Sequence, residues 1–115
     1  MKTATLKYPE VKNYISGKFI KNGQKTIEVF CPLDGSILST VPVSTKNDLD
    51  DAVKSAEKAF PEWSSMPVKD RVQVFFRYKI LLHKHLNELA NLVHEENGKT
   101  ISEATAEIEK SIELT

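Results

Sequence analysis

The sequence predicts a mostly α-helical chain with a small antiparallel β portion, an α+β architecture of a helical layer plus a β-hairpin. Three observations carry that reading. Turn-punctuated, alternating segments crowd into the stretch before Val43, and apolar residues at helical spacing fill the remainder. The four glycines, Gly17, Gly23, Gly35 and Gly98, are scattered, so no G-x-G-x-x-G loop opens a dinucleotide-binding crossover.

The elements follow in order. Residues 1–12 are polar with Pro9 and read as an N-terminal arm. The strands occupy about 14–43. Tyr14 to Ile20 and Lys25 to Phe30 flank Asn22-Gly23, a favoured two-residue hairpin turn, and Ile27 and Val29 alternate with Glu28 as a half-buried strand should. A second turn, Pro32-Leu33-Asp34-Gly35, leads into Ile37 to Val43. Strict alternation there sets Ile37, Ser39 and Val41 against Leu38, Thr40 and Pro42, and Pro42 points to an edge strand.

Helices are expected at about 46–60, 67–86, 87–97 and 100–115. Thr45-x-x-Asp48 is a variant capping box, and Asp48, Asp50 and Asp51 suit the positive end of the helix dipole. Leu49, Ala52, Val53, Ala56 and Phe60 form one stripe. Pro61 is expected to end the helix, with Trp63 packed in the connector beyond it and Pro67 in the first turn of the next helix.

From Val72 to Leu82, apolar or aromatic residues cover every side of the helix, and such a helix is buried all round. A chain this short has too few other elements to cover it, so missing partners are inferred. Asn87 to Glu96 continues as a helical piece, kinked at Asn87, with Leu89, Ala90, Leu92 and Val93 inward. Gly98 suits the left-handed position past its end, and Thr100 with Glu103 forms a T-x-x-E capping box for the last helix. Ile101, Ala104, Ile108 and Ile112 repeat at helical spacing with no stop signal before Thr115, which predicts that the pattern belongs to a longer polypeptide.

Composition narrows function by exclusion. Sixteen basic and sixteen acidic residues cancel and are interspersed, which argues against a polyanion partner, whether nucleic acid or an anionic membrane. No stretch approaches the roughly 18 apolar residues of a membrane span. A cytoplasmic location is the default expectation, and the single cysteine, Cys31, cannot form an internal disulfide.

The candidate chemical groups each have a simpler structural role. Gly98-Lys99-Thr100 resembles the tail of a phosphate loop, but the required earlier glycine position holds Val93, and a helix precedes it. His83 and His85 lie about 200° apart on a helix and have no third ligand at metal-site spacing. His94 beside Glu95 and Glu96 has no nucleophile within sequence reach. Cys31 has no adjacent His and no helix N-terminus beside it to make it a reactive thiol. Glu103, Glu107, Glu109 and Glu113 with Lys110 read as a solvated helix face. No catalytic, cofactor-binding or metal residue is assigned.

Several segments in order carry a family resemblance: Tyr14-Ile15-Ser16-Gly17-Lys18-Phe19, then Pro32-Leu33-Asp34-Gly35 before Val41-Pro42, then Ala52-x-x-x-Ala56-x-x-x-Phe60-Pro61-x-Trp63 and Arg71. Glu88-Leu89-Ala90 and Glu96-x-Gly98-Lys99-Thr100 complete the set. Together they resemble the start of an NAD(P)-dependent aldehyde dehydrogenase, over about Asn13 to Thr115. Val74-Phe75-Phe76-Arg77-Tyr78 leans towards the methylmalonate-semialdehyde branch, with the succinate-semialdehyde branch next. Cys31 departs from the asparagine usual before the proline.

The resemblance implies that residues 13–115 are an incomplete N-terminal part of a Rossmann-like cofactor domain. The implied parent oxidises an aldehyde with NAD or NADP through a cysteine nucleophile, and all its catalytic residues lie beyond Thr115. This chain alone is then expected to be inactive and to bind no cofactor. Its expected partners are the rest of the dehydrogenase or its other subunits, with self-association through the Phe75 to Leu82 helix as an option. A monovalent-cation site of some family members would fall nearest Phe30 and Glu107. The alternative from another class is a stand-alone helical interaction module derived from the family.

Overall fold

The computed structural model describes residues 5–20 and 25–115. Among them lie four strands and four helices: β1 (Asn13–Ile15), β2 (Lys18–Ile20), β3 (Thr26–Phe30), β4 (Ile37–Pro42), α1 (Lys46–Ser65), α2 (Val68–Lys84), α3 (Leu86–Asn97) and α4 (Ile101–Leu114). The chain divides into two compact units. One holds the strands and α1; the other holds the Cys31–Gly35 turn with α2, α3 and α4.

In the first unit the strands form two separate two-stranded antiparallel sheets. The expected pairing of 14–20 with 25–30 does not occur. Tyr14 to Ile20 is itself a hairpin, β1 on β2, turning at Ser16-Gly17. Both turn residues have positive φ, 53° and 76°, the backbone that a two-residue turn needs to match strand twist. Tyr14 and Phe19 face each other across this hairpin, edge to face at 5.0 Å. The Asn22-Gly23 turn lies outside the described residues.

β3 pairs instead with β4. A register shift opposite Val29 and Phe30 leaves Leu38 as an extra residue on β4. The bulge breaks the expected alternation, so that the consecutive residues Leu38 and Ser39 are both buried. The outer edge of β4 is not bare. Tyr8 N donates to Leu38 O and Val11 N to Thr40 O, each at 2.8 Å, and Ser39 Oγ donates to Pro9 O at 2.7 Å. The N-terminal arm thus satisfies the backbone groups that an edge strand would otherwise present to other chains.

α1 opens as its sequence requires. Asp48 N donates to Thr45 Oγ1 at 3.4 Å, and Thr45 N donates to the Asp48 carboxylate at 2.6 Å. The helix does not end at Pro61 but continues to Ser65, placing Trp63 within the helix and half-buried rather than in a connector. Proline forfeits one intrahelical hydrogen bond, yet the turn beyond it gains two others: Ser64 Oγ donates to Pro61 O and Ser65 Oγ to Glu62 O. The apolar stripe of α1 is largely open, with Leu49, Val53 and Phe60 all exposed.

The second unit is helical. Pro67 caps α2 from outside its first turn. α2 and α3 break at His85, not Asn87, because His85 adopts φ −104° and ψ 14°, off the helical ψ. α3 and α4 pack on each other, and Ala90, Ala104 and Ile112 are buried. The two alanines let the helix axes approach closely, and Ile112 fills space towards the end of α4. Leu92, expected inward, is exposed. α2 contributes no buried residue at all.

Candidate functional site

The α3–α4 joint of the second unit is built from Glu96-Asn97-Gly98-Lys99-Thr100. Gly98 takes φ 71°, and its N–H donates to His94 O at 2.9 Å, closing α3 in a left-handed cap. Thr100 then opens α4 with a complete capping box: Glu103 N donates to Thr100 Oγ1 at 3.2 Å, and Thr100 N donates to the Glu103 carboxylate at 3.0 Å. The backbone and then the hydroxyl bond from Thr100, with help from the Lys99 charge, hold the Glu103 carboxyl below its ordinary pKa. Asp48 is lowered in the same way by the backbone and hydroxyl of Thr45.

These contacts also account for most of the candidate reactive groups. His94 Nδ1 donates to the Lys99 carbonyl, and Lys99 Nζ pairs with Glu107. Gly98-Lys99-Thr100 is therefore helix punctuation: its backbone and side chains serve caps and an ion pair. His85 Nδ1 bonds Glu88 at 2.9 Å on the exposed side of the break, and Lys110 pairs with Glu113. Glu107, the nearest match to a cation-binding acid, gives its carboxylate to Lys99.

Cys31 is free and buried, 5% exposed, and its carbonyl accepts from Gly35 N at 2.8 Å, closing the Pro32-Leu33-Asp34 turn. Among the described residues, no group of three or more His, Cys, Asp or Glu could hold a metal ion. None of the described helices is long and apolar enough to cross a membrane.

Two features escaped the sequence. The Ser16-Gly17 turn folds Lys18 towards α1, where Ser16 Oγ donates to Ser55 Oγ at 2.9 Å. An open groove there is lined by Lys18, Asp51, Lys54 and Lys58. Only the tight hairpin brings Lys18 to these helix residues, and nothing in the local composition signals it. The second is Arg71, whose Nε is buried with no hydrogen-bond partner among the described residues. A lone arginine in a helical stretch gives no warning of that.

Comparison with known proteins fixes the context. The aldehyde dehydrogenase family profile matches residues 19–115. Malonate-semialdehyde dehydrogenase 1 of Geobacillus kaustophilus is 46% identical over 104 residues, covering 90% of this chain and 21% of that protein. The malonate-semialdehyde dehydrogenase of Lacticaseibacillus casei is 40% identical over 114 residues, 98% of this chain and 23% of its own. Among solved structures, methylmalonate-semialdehyde dehydrogenase from Oceanimonas doudoroffii superposes with TM-score 0.87 at 30% identity, covering 92% of this chain and 22% of that one. A Sinorhizobium meliloti structure complexed with NAD gives TM-score 0.86 at 32% identity, covering 96% and 22%. The chain spans about a fifth of the length of the relatives it matches.

Proposed function

The chain belongs to the aldehyde dehydrogenase family, and we propose that it serves as the N-terminal part of the cofactor-binding domain of an NAD(P)-linked semialdehyde dehydrogenase. The observation that carries this reading is the 46% identity to a malonate-semialdehyde dehydrogenase confined to a fifth of that protein. In this reading residues 13–115 form the domain portion and residues 1–12 an arm, of which Tyr8 to Val11 edge β4. The chain supplies scaffold and the remainder supplies the chemistry.

The local geometry supports that division. A capping box, an ion pair and a left-handed glycine lock one helix onto the next, while the one thiol is buried in a turn. A nucleophile needs access to its electrophile and a means of ionising. The assembled enzyme would act on a short semialdehyde in the cytoplasm, taking hydride onto a nicotinamide held by residues outside this segment.

The test is replacement. This chain is exchanged for the matched N-terminal segment of a malonate-semialdehyde dehydrogenase, and NADH formation is followed with malonate or methylmalonate semialdehyde. A chimera that turns over, beside an isolated chain that neither turns over nor releases heat on titration with NAD, sustains the reading. A chimera that fails to fold or to reduce NAD overturns it.

A further inference from the structure

We infer that Asn97-Gly98 is a modification site gated by the α3 cap: the Asn97 side-chain amide cyclises onto the Gly98 nitrogen only when that cap opens, and the product cannot rebuild it. Asn-Gly is the pair most prone to this chemistry, because glycine puts no side chain in the path of ring closure. The reaction needs no partner but water. The Gly98 nitrogen attacks Asn97 Cγ, a C–N bond forms, the Cγ–Nδ2 bond breaks, and ammonia leaves with the former amide proton. Water then opens the cyclic imide at either carbonyl. The product is an aspartate, or an isoaspartate whose main chain runs through the side-chain methylene.

The fold treats the two reacting groups differently. The electrophile is free: Asn97 is exposed, and its side-chain amide bonds no described residue. The nucleophile is held. Gly98 N donates to His94 O at 2.9 Å, and Gly98 sits at φ 71° with the Pro32 ring packed beside it. Asn97 is the last residue of α3, and a helical ψ of about −42° keeps the Gly98 nitrogen out of line with the Asn97 side chain. Ring closure therefore requires the hydrogen bond to break and ψ to rotate, which is the opening of the cap. The isoaspartate makes that opening permanent. It adds a methylene to the main chain between Asn97 Cα and Gly98 N, so Gly98 no longer reaches both His94 O and its place against Pro32. Either product also sets a carboxylate at the negative end of the helix dipole, next in sequence to Glu95 and Glu96. The contacts beyond it, from His94 to the Lys99 carbonyl and from Lys99 to Glu107, lose the residue that sets their direction.

The test ages the 115-residue chain at neutral pH, in buffer and in unfolding guanidinium, and follows position 97 by peptide mass spectrometry that separates aspartate from isoaspartate. Modification should be about tenfold or more slower in buffer than in guanidinium. Equal rates overturn the gate. Amide exchange at Gly98 reports the same opening, so its protection should be of the same order. A Gly98 amide that exchanges freely while position 97 stays protected overturns the cap as the gate. The purified isoaspartate fraction should exchange the last turn of α3 about tenfold or more faster than the unmodified chain. Asn97→Asp, which adds the charge without the methylene, should fall between the two. Unchanged exchange in the isoaspartate chain overturns the permanent loss of the cap.

Discussion

Gly98 closes α3 directly against Pro32: a Cβ built on Gly98 would stand 3.1 Å from Pro32 Cγ, at a backbone φ of 71°. Two independent requirements therefore meet at one residue. The left-handed cap disfavours any side chain, and the proline ring would meet one in a contact tighter than ordinary van der Waals distance. Gly98→Ala should lower stability by about 1–3 kcal/mol, part from φ and part from overlap. The double variant Gly98→Ala with Pro32→Ala separates the parts in a double-mutant cycle by urea unfolding, because it removes the crowding atom and leaves the φ cost. A Gly98→Ala loss of the same size with and without Pro32→Ala would refute the contact's share.

The capping boxes make an acid-side prediction. Glu103 and Asp48 have folded-state pKa values below their unfolded ones, through hydrogen bonds from Thr100 and Thr45 respectively. A lowered carboxyl pKa contributes stability that is full above the unfolded value and is lost as pH falls through the folded one. Amide exchange in the first turns of α1 and α4, corrected for intrinsic rates, should therefore accelerate as pH drops below about 4. Glu103→Gln should flatten this dependence in α4 alone. Thr100→Ala removes the hydroxyl partner, costs about 1 kcal/mol and frays α4 at every pH.

The arm on β4 yields a prediction about association. Ser39 is buried, and its hydroxyl is satisfied by the Pro9 carbonyl. Ser39→Ala should cost about 1 kcal/mol, the net value of one such bond. Deleting residues through Val11 goes further: it bares the β4 edge and leaves Ser39 without its acceptor. Light scattering should then show higher oligomers that Ser39→Ala alone does not produce. An unchanged mass after deletion would show that the arm does not guard the edge.

The helices were legible because their signals are local. Thr45 with Asp48, Gly98 and Thr100 with Glu103 sit where hydrogen bonding demands them, and each took its expected place. The all-round apolar character of α2 was legible too; the pattern alone calls for burial, and the helix is exposed because the chain has too few elements to cover it. Strand pairing was not, because register depends on which partner is reached. Asn22-Gly23 is the stronger turn signal, yet Ser16-Gly17 closed the shorter hairpin, and β3 went to β4. The Leu38 bulge is invisible to an alternation count. Nor did the joint's reactive-looking residues advertise their use: Lys99 and His94 became recognisable as structural only once their partners, Glu107 and the Lys99 carbonyl, were in place.

Pro61 offers the last test, because here a strong local rule lost. Its ring removes a donor and disfavours helical backbone at Phe60, yet α1 continues through it to Ser65. The continuation carries Trp63 into a half-buried position on the same helix and recruits Ser64 and Ser65 to back-bond. If the turn after Pro61 is held by these contacts, then Pro61→Ala should restore the missing bond to Glu57 O and stabilise the helix by up to about 3 kcal/mol. Amide exchange from Glu62 to Ser65 should slow accordingly. Trp63→Ala should do the reverse, freeing that last turn to fray while the turns before Pro61 keep their protection. Fraying of the whole helix in Trp63→Ala would mean that the tryptophan anchors α1 entire and that the proline marks no boundary in its stability.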